Sequence, residues 1–460
     1  MKQASFETHR HVGPSLVAAS VLSILGACGG GGAAPGDSAS GFGDKAPPLG
    51  QVVEITSYGA NAVTYWYDVG AKTINQPASA NGTPEERAPL LTSDMATLLV
   101  AIYDAVIAID ARREPFHATP TTPAVGASMD AAAAAAAYRI LSTLYPSRSS
   151  TYQAPYDTFV GAIADGDAKI RGLAIGDEVG RNIAAWRAHD GRSTVLPPFV
   201  PGTLPGEFRG TNPVNRIAPY LHPFAMLSAS QFRADAPPAL DSPEYAADVN
   251  ETQAKGGSVS AVRTPEQLEI ARFWTENPGV YQTRNFRQFT MSQPSLADNA
   301  RLAAQLWVSV NEAGNGCFES KYHYLRWRPY SAINLADTDN NPGTVADPSW
   351  TPVVPTPNHP EYPAAHTCAD GAVAETLSSF YGTKKVHFAI DSTVTGTTHQ
   401  FTSTDDFLNE VGEARIFGGM HFRTSVVRGG VLGRKAAQWV DKHYFQSKWP
   451  AQVPRAERPL

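Results

Sequence analysis

At 460 residues the chain has room for one large domain or two. Its 42% hydrophobic and 17% charged content, with 38 Gly and 36 Pro in no repeating pattern, describes a globular protein with long loops and argues against a disordered or fibrous one. The formal net charge of −6 argues against nonspecific binding of nucleic acid, which needs a basic surface.

The first 28 residues read as an export signal. Lys2 and Arg10 form a basic start, Val17 to Leu25 a short apolar run, and Leu25-Gly-Ala-Cys28 follows. Small residues before a cysteine resemble the bacterial lipoprotein processing box, so residues 1–27 are expected to be removed and Cys28 to carry the lipid. A plain signal peptide cut near Ala27, or an uncut anchor, are the alternatives. Residues 28–50, with Gly29 to Gly32 and a Pro/Gly/Ser-rich run, fit a flexible tether. On this reading the product is a periplasmic or cell-envelope protein that meets a membrane only through its N-terminal lipid. No later run is expected to span a bilayer.

Ser93 through Ala111 has a capping residue and an apolar helical pattern, and Ala127 to Leu144 is helical by alanine propensity. Tyr152 to Ala164 and Asp167 to Arg187 continue the helices, and residues 192–241 read as one long surface excursion. Ser242-Pro243 and Thr264-Pro265 each place a cap before a proline at the first helical position, and Gln267 completes a capping box. Ser295 through Arg328 reads as two helical segments with a break near Gly314-Asn-Gly316.

Residues 334–362 should form a loop over the site built by the segments around them. Asp337, Asp339 and Asn341 have part of a calcium-loop spacing, but Pro342 and Pro348 occupy its glycine and glutamate positions, so turn chemistry is expected. Lys384 to Ile390 and Thr393 to Ser403 suggest a small hairpin; Phe407 to Arg415 and Ser425 to Phe445 are helical. The fold class expected is all-α, a helical bundle with one minor β-hairpin, with an N-terminal region 51–290 and a catalytic region 291–450.

Three stretches carry the chemistry. Lys321 and Arg328 are seven residues apart, roughly 700° of helical rotation, which would put both on one face with Pro329 ending the helix. Pro363-Ala364-Ala365-His366 precedes a helical pattern from Thr367 to Phe380, whose N-terminus would aim free N–H groups at an anion. Arg415 and His421 complete a set of three cations and two imidazoles, which suits a tetrahedral oxyanion. His323, His359 and His399 are expected to be ordinary histidines near the pocket at most. Cys317 lies one turn before Lys321 and Cys368 two residues after His366, so a disulfide between them and two free buried thiols are both open.

Lys-x6-Arg-Pro, Pro-x-x-His and Arg-x5-His, in this order, resemble the vanadium-dependent haloperoxidases and the type 2 phosphatidic acid phosphatases. Ile102-Tyr-Asp-Ala-Val106, Ser230 to Arg233 and Glu269 to Trp274 are similar to the bacterial haloperoxidase-like branch, so the resemblance covers nearly all the chain after about residue 55. It implies vanadate as cofactor, with phosphate able to take the same place. It implies that Lys321, Arg328, Ala365 and Arg415 bind the oxyanion, that His421 binds vanadium or attacks phosphorus, and that His366 is the acid–base partner. Peroxide, halide and an organic acceptor would be the small-molecule substrates. A phosphomonoesterase working through phospho-His421, and an oxyanion-binding relative with neither activity, are the competing readings. Two departures stand out: Ala364 replaces a usual serine, and Ser425 stands where the phosphatases place an aspartate that holds the second histidine's tautomer.

Overall fold

The computed structural model describes residues 51–448 other than Pro89, so the expected signal, Cys28 and the tether lie outside the described residues. Fourteen α-helices are present among these residues: α1 (Ala62–Ile74), α2 (Pro84–Arg87), α3 (Leu91–Asp110), α4 (Met129–Leu144), α5 (Gln153–Gly161), α6 (Asp167–Arg187) and α7 (Pro243–Gly256), then α8 (Pro265–Phe273), α9 (Pro278–Asn285), α10 (Leu296–Tyr324), α11 (Pro329–Asn334), α12 (Ala365–Tyr381), α13 (Thr404–Phe417) and α14 (Arg423–His443). Strand β1 (Val53–Glu54) pairs in parallel with β2 (Val386–Asp391), which pairs antiparallel with β3 (Thr398–Phe401). The all-α class holds, and the expected hairpin has gained a third, two-residue strand from the start of the described chain.

Caps set several helix starts where the sequence marks them. Ser128, Ser242 and Ser295 each accept an N–H of the first turn, and Thr264 with Gln267 forms the capping box. The alanine run of α4 does more than favour helix. Gly172, Gly176 and Gly180 of α6 recur every four residues against it, and a Cβ at Gly176 would lie 2.1 Å from the Ala132 carbonyl oxygen. The two helices therefore meet backbone to backbone, which only these small residues permit.

Helix α3 is long and apolar enough to cross a membrane by length and composition, contrary to the sequence expectation. Its most apolar window is 83% buried, however, and it packs on α4, α6 and α10 as a core helix. It also carries Asp104, whose carboxylate accepts the N–H groups of Phe116, His117 and Ala118 at 2.6–3.0 Å. The Ile102–Val106 motif thus ties a loop to the core. Glu312 of α10 does the same for Phe224, Ala225 and Met226 of the 192–241 excursion, which contains no α-helix but is anchored inward at this point.

Two expectations about α10 fail. The helix runs unbroken through Gly314 and Gly316 for 29 residues, because its sides are buried against α3, α12 and α14. Tertiary packing there outweighs a propensity penalty of about 1 kcal/mol per glycine. It also stops at Tyr324, before Arg328. Leu325 is left-handed at φ 49°, Arg328 is extended at ψ 158°, and Pro329 opens α11 instead of closing α10. Lys321 and Arg328 therefore do not share a helix face.

The 334–362 segment is mostly loop, and Asp339 accepts from Asn341 N and Thr344 Oγ1 as a turn would. Cys317 and Cys368 form a disulfide joining α10 to α12 across 51 residues. A closed loop of that length stabilises by about 4 kcal/mol on the chain-entropy model.

Candidate active site

Close contact between α12 and α14 sets up the site. A Cβ at Gly433 of α14 would fall 2.0 Å from the Cys368 oxygen of α12, and one at Gly429 would meet the Ala364 oxygen at 2.6 Å. The start of α12, which carries Ala365 and His366, is thereby brought against the start of α14, just after His421. Ala364 is the N-cap of α12; its side chain cannot cap, and its methyl packs with Ile416 and Val426. Helix α13 delivers Arg415 from its last turn, α10 delivers Lys321, and Arg328 caps the start of α11.

Lys321, Arg328, Arg415, His366 and His421 come together, all at most 8% exposed. Lys321 Nζ donates to the Pro360 and Glu361 carbonyls, both at 2.9 Å. Arg328 donates to the carbonyls of His359 (2.7 Å) and Met420 (2.9 Å), and its guanidinium lies 3.1 Å from His421 Nε2 and 3.0 Å from His359 Nδ1. Arg415 donates to the Trp274 carbonyl at 2.7 Å and contacts Met420 Sδ. His421 Nδ1 lies 2.9 Å from Glu361 Oε1, which also accepts the Phe422 N–H at 3.1 Å.

None of the three cations forms a direct ion pair with a carboxylate among the described residues. Burial and mutual repulsion tell on them. Burial and the neighbouring arginines hold Lys321 well below the usual lysine range, while burial lowers Arg328 to about 10 and burial with Arg328 lowers Arg415 to about 9. Burial first and the surrounding cations second push His359, His366 and His421 well below the usual histidine value, so all three are neutral at pH 7. Burial raises Glu361 to about 7 against the pull of Lys321 and Arg328. Within this cluster two buried side-chain nitrogens have no hydrogen-bond partner among the described residues, His366 Nε2 and Arg415 Nε. Uncompensated buried cations and orphaned polar atoms are costly unless an anion completes them.

The family model described as VCPO second helical-bundle domain matches residues 301–448, the segment that supplies all of these side chains. Residues 301–448 thus resemble the second helical-bundle domain of the vanadium haloperoxidases. Vanadium chloroperoxidase of Curvularia inaequalis is 24% identical over 421 residues, covering 73% of this chain and 68% of that protein. The likeness in fold extends over the N-terminal half as well. A bacterial vanadium-dependent iodoperoxidase structure superimposes with a TM-score of 0.66 at 21% identity, covering 84% of this chain and 97% of that one. A bacterial vanadium-dependent chloroperoxidase in its holo form gives 0.62 at 14% identity, covering 83% and 97%.

Sequence reasoning missed three groups. His359, expected to be ordinary, touches Arg328 inside the cluster, whereas His323 is exposed and His399 sits between Glu269 and Glu410 on the hairpin side. Glu361, a lone charge in an otherwise uncharged run from Thr351 to His366, could have been flagged on that ground only. Asp370, bound by Tyr281 Oη and Gln282 Nε2 and acting on Arg415 through space, carries no motif. Ser425 Oγ reaches His421 Nδ1 only at 3.5 Å.

Proposed function

We propose that this protein is an exported vanadium-dependent haloperoxidase that oxidises halide with peroxide. The observation that carries it is the set of three buried cations without a carboxylate partner, facing neutral imidazoles with one ring nitrogen orphaned. That donor set fits vanadate: Lys321, Arg328 and Arg415 would hold its oxygens and His421 Nε2 would be its protein ligand. When bound, vanadate supplies a Lewis acid that activates peroxide toward halide. The neutral Nε2 of His366 can take and return a proton at a bound oxygen, and the apolar walls around Ala364 exclude bulk water. Export is supported by the disulfide, which persists in oxidising compartments.

A phosphomonoesterase is the second reading, and one observation favours it. The carboxylate missing at position 425 is supplied by Glu361, so His421 has the support a nucleophilic imidazole needs. Purified mature protein should oxidise bromide or iodide with peroxide and orthovanadate, and should leave a chromogenic phosphate ester intact without vanadate. The reverse pattern makes it a phosphatase, and neither activity makes it an oxyanion-binding relative.

Ala364→Ser should raise halide turnover roughly ten- to a hundredfold, because a hydroxyl on the N-cap adds a donor worth about 1.5–3 kcal/mol to a charged oxygen. An unchanged rate at saturating vanadate would show that the alanine serves a different chemistry. Phosphate affinity, followed by calorimetry, should fall as the pH rises past about 9, where Arg415 loses its proton in the free site. The sign follows from linkage: the anion favours the charged cations, so it binds best below their depressed pKa values.

A further inference from the structure

The phosphatases that this chain resembles hold their second histidine with an aspartate four residues on, where Ser425 stands too far to do the same well. Resting on the oxyanion reading above, we propose that Glu361 is the positioning residue for His421. It accepts the Nδ1 proton and keeps the Nε2 lone pair turned toward the cations. Two contacts demand that tautomer independently. Glu361 Oε1 lies 2.9 Å from Nδ1 and also accepts the Phe422 N–H at 3.1 Å, so this oxygen faces the ring as an acceptor. Arg328 lies 3.1 Å from Nε2 and can only donate, so Nε2 must be unprotonated.

The segment bearing Glu361 is itself held still. Lys321 Nζ grips the carbonyls of Pro360 and Glu361, Glu361 N donates to Arg326 O at 2.9 Å, and Tyr362 Oη donates to Asp235 O at 2.6 Å. A carboxylate present only as a counter-ion would touch a cation. Glu361 makes no direct ion pair with Lys321 or Arg328, and one of its oxygens takes both the His421 ring and the Phe422 N–H. Its arrangement is that of an orienting group.

Orthovanadate and phosphate have the same shape and similar charge, but by the family resemblance only vanadate bonds directly to the histidine nitrogen. Losing the orienting group should therefore cost vanadate and spare phosphate. In Glu361→Ala, vanadate affinity should fall about 10- to 100-fold, while phosphate affinity stays level or rises as a negative charge leaves the pocket. Nitrogen-15 NMR of labelled histidine should show His421 moving from one tautomer to a mixture. Glu361→Gln, whose amide oxygen can still accept from Nδ1, should keep the wild-type tautomer and most of the vanadate affinity. Equal losses for both anions in Glu361→Ala, or an unchanged tautomer, would overturn the proposal. So would a mixed tautomer in Glu361→Gln, which decides the matter alone if the alanine variant does not fold. Wild-type protein that binds neither anion would instead remove the oxyanion reading itself.

Discussion

His421→Ala is expected to give a folded protein that turns over neither bromide nor a phosphate ester, a loss on the order of a thousandfold or more. The residue is 1% exposed and sits where two helices meet, yet its removal should be tolerated. Glu361 keeps the Phe422 N–H, and Arg328 keeps the carbonyls of His359 and Met420. What disappears is the neutral Nε2, which faces the guanidinium of Arg328 and is the atom that would ligate vanadium or attack phosphorus. Steady-state rates in both assays, beside circular dichroism and thermal melting, separate the two effects. A variant that retained either activity within tenfold of wild type would show that the chemistry lies on another residue.

The largest stability effect should come from Asp104→Ala. Its carboxylate accepts three successive backbone N–H groups, and Phe116 and Ala118, which own two of them, are buried. Removing the acceptor leaves these donors unpaired in the interior, at about 1–3 kcal/mol for each that water cannot reach. A loss of about 3–5 kcal/mol is expected in urea unfolding. Asp104→Asn, which keeps one acceptor oxygen but turns an amide donor toward the same N–H groups, should lose somewhat less. A change below 1 kcal/mol in the alanine variant would mean that the 116–118 loop is held by its ring contacts alone, such as Phe116 against Tyr444.

Local chemistry made much of this molecule legible in its sequence. Caps at Ser242 and Thr264 act within three residues of themselves, so their outcome depends on little else. Helix α6 begins and ends where its periodicity does, at Asp167 and Arg187. The identities of the three cations and two histidines were readable because their spacing and order are properties of the chain itself.

Tertiary structure decided the rest. Whether Gly314 and Gly316 break α10 depends on the helices packed along the rest of α10, and whether Pro329 ends or begins a helix depends on the left-handed turn at Leu325. Lys321 and Arg328 meet through that turn and not through a shared face. Glu361 finds His421 across 60 residues because the glycines of α14 let it close on α12. Sequence spacing reports what is near along the chain; a carboxylate's partner, and whether a buried cation has one, are settled by what packing brings near in space.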